Sequence, residues 1–150
     1  MNEAIDWNRM LAAILAEFGC QTGTIHRATA DGITLELICQ SGVPESLLDK
    51  VAIIPFGKGI AGAAAERAEP VELCNLQTDL GGVAKPDARQ TGVSGSIAVP
   101  IFAAQGQRVI GTLGIGKFTP HEFTDAEKSR LAILAADIAQ HFLGNPEPRG

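Results

Sequence analysis

Tyrosine is missing from this sequence, and tryptophan occurs once, as Trp7. An aromatic cage or a base-stacking platform is therefore poorly supplied. Cysteine is scarce: Cys20, Cys39 and Cys74 lie far apart, with no CxxC or Cys/His spacing. An odd, scattered set reads as ordinary buried thiols of a reducing compartment, not as a zinc site or a disulfide framework. No apolar run approaches the ~20 residues of a membrane span. The opening residues, MNEAIDWNRM, carry acids before the first base and lack a signal-peptide apolar core. A cytoplasmic location with no membrane partner is expected. Positive charge is also short, with 12 Lys and Arg against 17 Asp and Glu and a net charge of −5. That balance opposes general binding to a phosphate backbone, and no nucleic-acid partner is expected.

What is present fits a soluble globular chain: 45% of residues are hydrophobic and 19% charged. A length of 150 residues suits one domain with its own core. The expected organisation is a single domain over 1–143 and a mobile, proline-bearing tail over 144–150.

The stretch from Gly92 to Phe118, GVSGSIAVPIFAAQGQRVIGTLGIGKF, organises the rest. Two apolar, β-branched runs flank the polar connector Ala103 to Arg108, the pattern of an antiparallel hairpin. In the first run Ile97, Val99 and Ile101 point one way and Ser96, Ala98 and Pro100 the other. In the second, Val109, Leu113 and Ile115 share a face, opposite Thr112, Gly114 and Gly116. One face is bulky and suits packing against helices. The other carries small side chains, which either shape a small-molecule pocket or let another element approach closely.

Along the chain, residues from about Asn2 to Phe18 predict an amphipathic helix, with Trp7, Leu11, Ile14, Leu15 and Phe18 at helical spacing and Gly19 as a stop. Thr22 to Ala30 and Ile33 to Gln40 read as strands around Asp31-Gly32, a strong hairpin signal. In the second of them Ile33, Leu35, Leu37 and Cys39 alternate with polar residues, and only Ile38 departs from the pattern. Gly42 and Pro44 break the strand. A short helical piece is expected around Glu45 to Lys50, then an apolar run from Val51 to Phe56. Gly57-Lys58-Gly59 turns into an alanine-rich helix, Ile60 to Arg67. A glycine-flanked lysine there can hold an anion through backbone N–H groups or simply make a tight turn, and the P-loop pattern is not matched.

Pro70 introduces a strand from about Val71 to Leu73. The stretch from Gln77 to Thr91 has little periodicity, and so long a connection suggests a lid or binding loop bearing Asp79, Lys85, Asp87 and Arg89. After the central hairpin, Thr124 with Glu127 three residues on forms a capping box. Leu131, Leu134, Ala135, Ile138 and Phe142 then line one helix face.

In this order the stretches IPFGKGIAG, PVELCNL, GVSGSIAVPIF, VIGTLGIGKF and EFTDAEKSRLAILAADIA resemble those of GAF domains, small-molecule sensory modules related to PAS domains. The resemblance covers nearly the whole chain. It implies an α+β fold: a GAF/PAS-like central antiparallel sheet with the N- and C-terminal helices on one face and a ligand pocket on the other. The segment between Gly57 and Thr91 would cap that pocket. The implied ligand-binding residues are Phe56, Ile60, Leu76, Asp79, Asp87, Arg89, Ser96, Ala98, Thr112 and Gly114. Terminal helices in this family often form dimer interfaces, so a homodimer is expected, with a separate signalling protein as a further candidate partner.

Three functional classes follow. The first is a non-catalytic sensory or regulatory domain that binds an unidentified small molecule. The second is an enzyme similar to free methionine-R-sulfoxide reductases, whose thiolate attack and resolution need cysteines near the pocket. That subfamily's GxGxCG turn appears here as GKGIAG, with Ala61 at the cysteine position. No cysteine occurs from Gln77 to Gly95, which disfavours the enzyme. A non-catalytic dimerisation scaffold is a related alternative. The third class is a holder of haem or bilin. His26, His121 and His141 are scattered, with His26 the least implausible ligand, and no metal or haem signature identifies a cofactor. The family's cyclic-nucleotide NKFDE set is likewise missing as such.

Overall fold

The computed structural model describes residues 5–73, 94–103 and 108–144. Helix α1 (Trp7–Phe18) starts at Asp6, whose carboxylate accepts the Arg9 N–H at 3.1 Å, and stops at Gly19 with φ 65°. A carboxylate cap and a left-handed glycine satisfy backbone groups that the helix ends leave open. Strands β1 (Thr22–Ala28) and β2 (Thr34–Ser41) follow. The Asp31 carboxylate stabilises their turn by accepting the Ile33 N–H and the Thr29 hydroxyl.

A 3₁₀ turn (Glu45–Leu47) then leads into α2 (Leu48–Ala52), β3 (Ile53–Pro55) and α3 (Gly59–Arg67). The chain continues with β4 (Val71–Leu73), β5 (Gly95–Phe102), β6 (Val109–Lys117) and α4 (Asp125–Gly144). The six strands form one antiparallel sheet in the order β3-β2-β1-β6-β5-β4, which puts β1 and β6 at its centre. The α+β fold expected from the sequence is the one observed.

The terminal helices cover one face. Leu11, Leu15 and Phe18 of α1 and Leu131, Ile138 and Phe142 of α4 join Ile25, Ile97, Leu113 and Ile115 of the sheet in one buried cluster. Each such side chain stabilises the fold by about 1.5–3 kcal/mol relative to exposure. α1 lies so close to β1 that a Cβ on Gly23 would sit 2.8 Å from Leu15 Cδ2. α4 begins at the expected capping box: the Thr124 hydroxyl accepts the Glu127 N–H at 3.0 Å, and the Glu127 carboxylate accepts the Thr124 N–H at 2.8 Å. Arg130 of α4 donates twice to Glu17 of α1, at 2.6 and 3.1 Å.

Two strands depart from the alternation read in the sequence. Ile25 pairs with Cys39 but His26 with Leu37, so Ile38 is an extra residue in β2. Leu35 consequently packs on the α3 face while Cys39 joins the terminal-helix cluster. The expected shared face of Ile33, Leu35, Leu37 and Cys39 does not form, and Ile33 is exposed outside the strand. In β6, Ile101 pairs with Gly111 and Phe102 with Val109, leaving Ile110 extra. Ile110 packs with the terminal helices, and Val109 moves to the α3 face instead of sharing a face with Leu113 and Ile115. Each is a bulge, which re-aims the side chains on one side of it.

Candidate functional site

The face opposite the terminal helices carries the small side chains. Register aligns four rows across it. Thr24, Gly114, Ala98 and Val71 form one row, and Leu37, His26, Thr112 and Pro100 form the next. The remaining two are Thr22, Gly116, Ser96 and Leu73 at one end, and Ala28, Leu35 and Ile54 at the other.

α3 lies over part of this surface. Ala63 and Ala64 pack on Ala98 and Val71, with Ile60 at the margin. Ala65 packs with Leu35 and Val109, flanked by Phe56, Phe102 and Ile54. Small strand residues thus let an alanine-rich helix approach the sheet. By register, the row holding His26 and Thr112 runs between these two apolar clusters.

Of the expected ligand-binding residues, Ser96, Ala98 and Thr112 are buried on this face, and Gly114 is half-buried beside Thr24. The Ser96 hydroxyl reaches the Ile115 carbonyl at 3.5 Å. Phe56 and Ile60 are half-buried at the edges of the α3 contacts. Leu76, Asp79, Asp87 and Arg89 lie outside the described residues, as do Lys85 and Cys74.

Thr112 is fully buried, and among the described residues its hydroxyl oxygen has no hydrogen-bond partner. Its cross-strand neighbour His26 is 1% exposed. His26 Nε2 lies 2.8 Å from the Val51 carbonyl oxygen, while Nδ1 has no partner among the described residues. Burial pushes the His26 pKa below its ordinary value, against the opposing effect of the Val51 hydrogen bond. Leaving a buried polar group unsatisfied costs about 1–3 kcal/mol, so two neighbouring orphans stand out from the packing around them.

In the sequence His26 stands out only as the least implausible haem ligand among three scattered histidines. Its position on this face follows from alternation with Ile25, which packs under the terminal helices. Its closeness to Thr112 depends on the β1–β6 pairing, which joins residues far apart in the chain.

The turn before α3 reads as a tight turn. Gly57 has φ 90°, its N–H donates to the Gly62 carbonyl at 2.7 Å, and a Cβ there would sit 3.0 Å from the Glu66 carboxylate. A carboxylate so near opposes an anion at that spot. The described cysteines lie with the other face: Cys39 in the terminal-helix cluster and Cys20 packed against it. Burial pushes both thiols up to about 11, which keeps them protonated and poorly nucleophilic at neutral pH. A groove of about 460 Å³ runs between α1 and α4, lined by Arg9, Met10, Ala13, Arg130 and Leu134 among others. Among the described residues, no helix is long and apolar enough to cross a membrane.

Solved structures share this architecture. The GAF domain of a phosphoenolpyruvate-protein phosphotransferase from Acinetobacter matches with a TM-score of 0.70 and 19% identity, over 91% of this chain and 82% of that one. The free methionine-R-sulfoxide reductase of Neisseria meningitidis, solved with its substrate, matches with a TM-score of 0.73 and 21% identity, over 90% and 74%. A Staphylococcus aureus NreA protein mutated in its nitrate-binding site matches with a TM-score of 0.67 and 21% identity, over 87% and 99%. At these identities the likeness speaks to the fold. Among curated proteins, no sequence relative matches. The GAF-domain family model spans residues 8–142, from the second residue of α1 to the buried Phe142 near the end of α4, and the chain belongs to the GAF domain family.

Proposed function

We propose that this chain is a sensory or regulatory module that binds a small molecule on the α3 face of its sheet and catalyses no reaction itself. The observation that carries this reading is the asymmetry of the sheet. The terminal helices pack one face into a continuous core, while the other face keeps at its centre small side chains and polar atoms with no partner among the described residues. Occupancy there would act on α3 and the segments around it, and output would pass to a second copy or to a separate signalling protein. The homodimer, with the terminal helices as its interface, and the cytoplasmic setting belong to this reading. Exposed Ile133 on α4 and the groove between α1 and α4 supply apolar surface for such an interface.

Native mass spectrometry of freshly purified protein, compared with the denatured mass, tests the reading. A noncovalent small-molecule adduct is expected, and the same spectrum reports the oligomeric state. An unadducted chain with no thermal shift across a metabolite panel that includes nitrate would count against a small-molecule module.

A second reading, free methionine-R-sulfoxide reduction, draws on the structural likeness to that enzyme. The turn residue Ala61, in place of the subfamily's cysteine, and the raised thiols of Cys20 and Cys39 oppose it. Turnover of free methionine-R-sulfoxide that disappears on Cys74→Ser would establish the enzyme instead.

A further inference from the structure

His26 and Thr112 face one another across the two central strands, both essentially inaccessible to solvent. Their proton inventory can be worked out from the geometry. A carbonyl oxygen only accepts, so the 2.8 Å contact with Val51 places the imidazole proton on Nε2. A neutral ring with Nε2–H leaves Nδ1 as a bare acceptor. Among the described residues that acceptor meets no donor, and the Thr112 hydroxyl, which can donate one hydrogen bond and accept two, meets no partner. Apolar clusters flank the pair on both sides: Ala98 and Val71 in one adjacent row, Leu35 and Ala28 in the other.

An acceptor beside a hydroxyl, within apolar surroundings, suits a ligand with a donor next to an acceptor. Resting on the small-molecule reading above, we infer that His26 Nδ1 and Thr112 Oγ1 are the polar anchor for a neutral ligand with an amide or lactam edge. The ligand N–H donates to Nδ1, and the Thr112 hydroxyl donates to the ligand carbonyl. Both orphaned atoms are satisfied and no proton changes hands. An anion fits poorly, because the bare Nδ1 lone pair repels it until the ring takes up a proton that its burial disfavours.

The full chain labelled with ¹⁵N-histidine provides the test, with 2-pyrrolidinone and acetamide as neutral probes and nitrate and formate as anions. Before any addition, the His26 nitrogens should report the Nε2–H tautomer. 2-Pyrrolidinone should shift His26 Nδ1 saturably and leave His121 and His141 in place. Thr112→Val removes the hydroxyl at nearly constant shape. It should raise the melting temperature of the free protein, because an unpartnered buried hydroxyl is gone, and weaken 2-pyrrolidinone roughly tenfold. His26→Gln, whose amide can still donate to the Val51 carbonyl, should weaken it by a similar factor.

A lowered melting temperature for Thr112→Val would show that the hydroxyl is already satisfied, and would overturn the inference. So would a His26 response to nitrate or formate with uptake of a proton but none to the amides. Undiminished binding in both variants, or no His26 response to any probe, overturns it as well. In those last two cases an adduct in the native mass spectrum would leave the module reading standing without this anchor. An unadducted chain that also fails the metabolite panel would remove both.

Discussion

On one face of the sheet, α1 and α4 bury Ile25, Leu113 and Ile138 in a continuous cluster. On the other, α3 divides its alanines between two smaller clusters, with the row of His26 and Thr112 between them. The same strands build both faces, so β propensity does not explain the contrast. Side-chain volume and polarity do. β5 sends Ile97, Val99 and Ile101 toward the terminal helices and Ser96 and Ala98 toward α3. Stability is therefore concentrated on one side, and unsatisfied polar groups on the other. Buried unsatisfied polar groups are rare in folded proteins, so these two set the α3 face apart from the packed one.

The largest expected effect comes from breaking the filled face. Leu113→Ala removes a side chain that is 1% exposed in the centre of the cluster, and chemical denaturation should show a loss of about 2–5 kcal/mol. The small-residue face should respond to the opposite change. Ala98→Leu drives a larger side chain against Ala63 and Ala64, with an expected loss of about 1–3 kcal/mol from overpacking. If Ala98→Leu is neutral, α3 is free to move away and the face is looser than its packing indicates. Thr124→Ala removes the hydroxyl that caps α4. A loss of about 1 kcal/mol is expected in the same measurement, with no change in ligand response, since the cap lies away from the His26–Thr112 row.

The smallest expected effect is a pH dependence that belongs to the polar row. The folded state lowers the His26 pKa, so below the ordinary histidine value of about 6.5 the unfolded chain binds a proton that the folded chain refuses. Stability is full above that pH and declines as pH falls toward the lowered folded value. His26→Gln should flatten this part of the profile, as followed by melting temperature against pH. His121 and His141 are present in both proteins, so the difference between the two curves isolates His26.

Much of the framework was legible because its signals are local. Asp31-Gly32 fixed the first hairpin, Thr124 and Glu127 fixed the start of α4, and Val71 to Leu73 formed the strand expected of them. The spacing of Leu11, Ile14, Leu15 and Phe18 identified the buried side of α1. Ile38 departs from the alternation in the sequence itself, but neither it nor Ile110 can be read there as a bulge, because an extra residue in a strand is defined by the partner strand. Strict alternation therefore gives Leu35 and Val109 the wrong neighbours. Among the candidate site residues, Ser96, Ala98 and Thr112 fell on the face that alternation gave them. His26 was not grouped with them, since its ties are to Val51, 25 residues along the chain, and to Thr112 on another strand.

The two bulges give β2 and β6 something like a reading frame. Deleting Ile38 would remove the bulge and restore strict two-residue alternation with Leu35 and Cys39 on the faces they already occupy, whereas a residue inserted elsewhere in β2 would redirect every residue on one side of it. A single inserted residue would thus exchange inside for outside along half a strand, whereas a substitution changes one side chain. For this fold, the place at which a strand gains a residue matters more than which residue it gains.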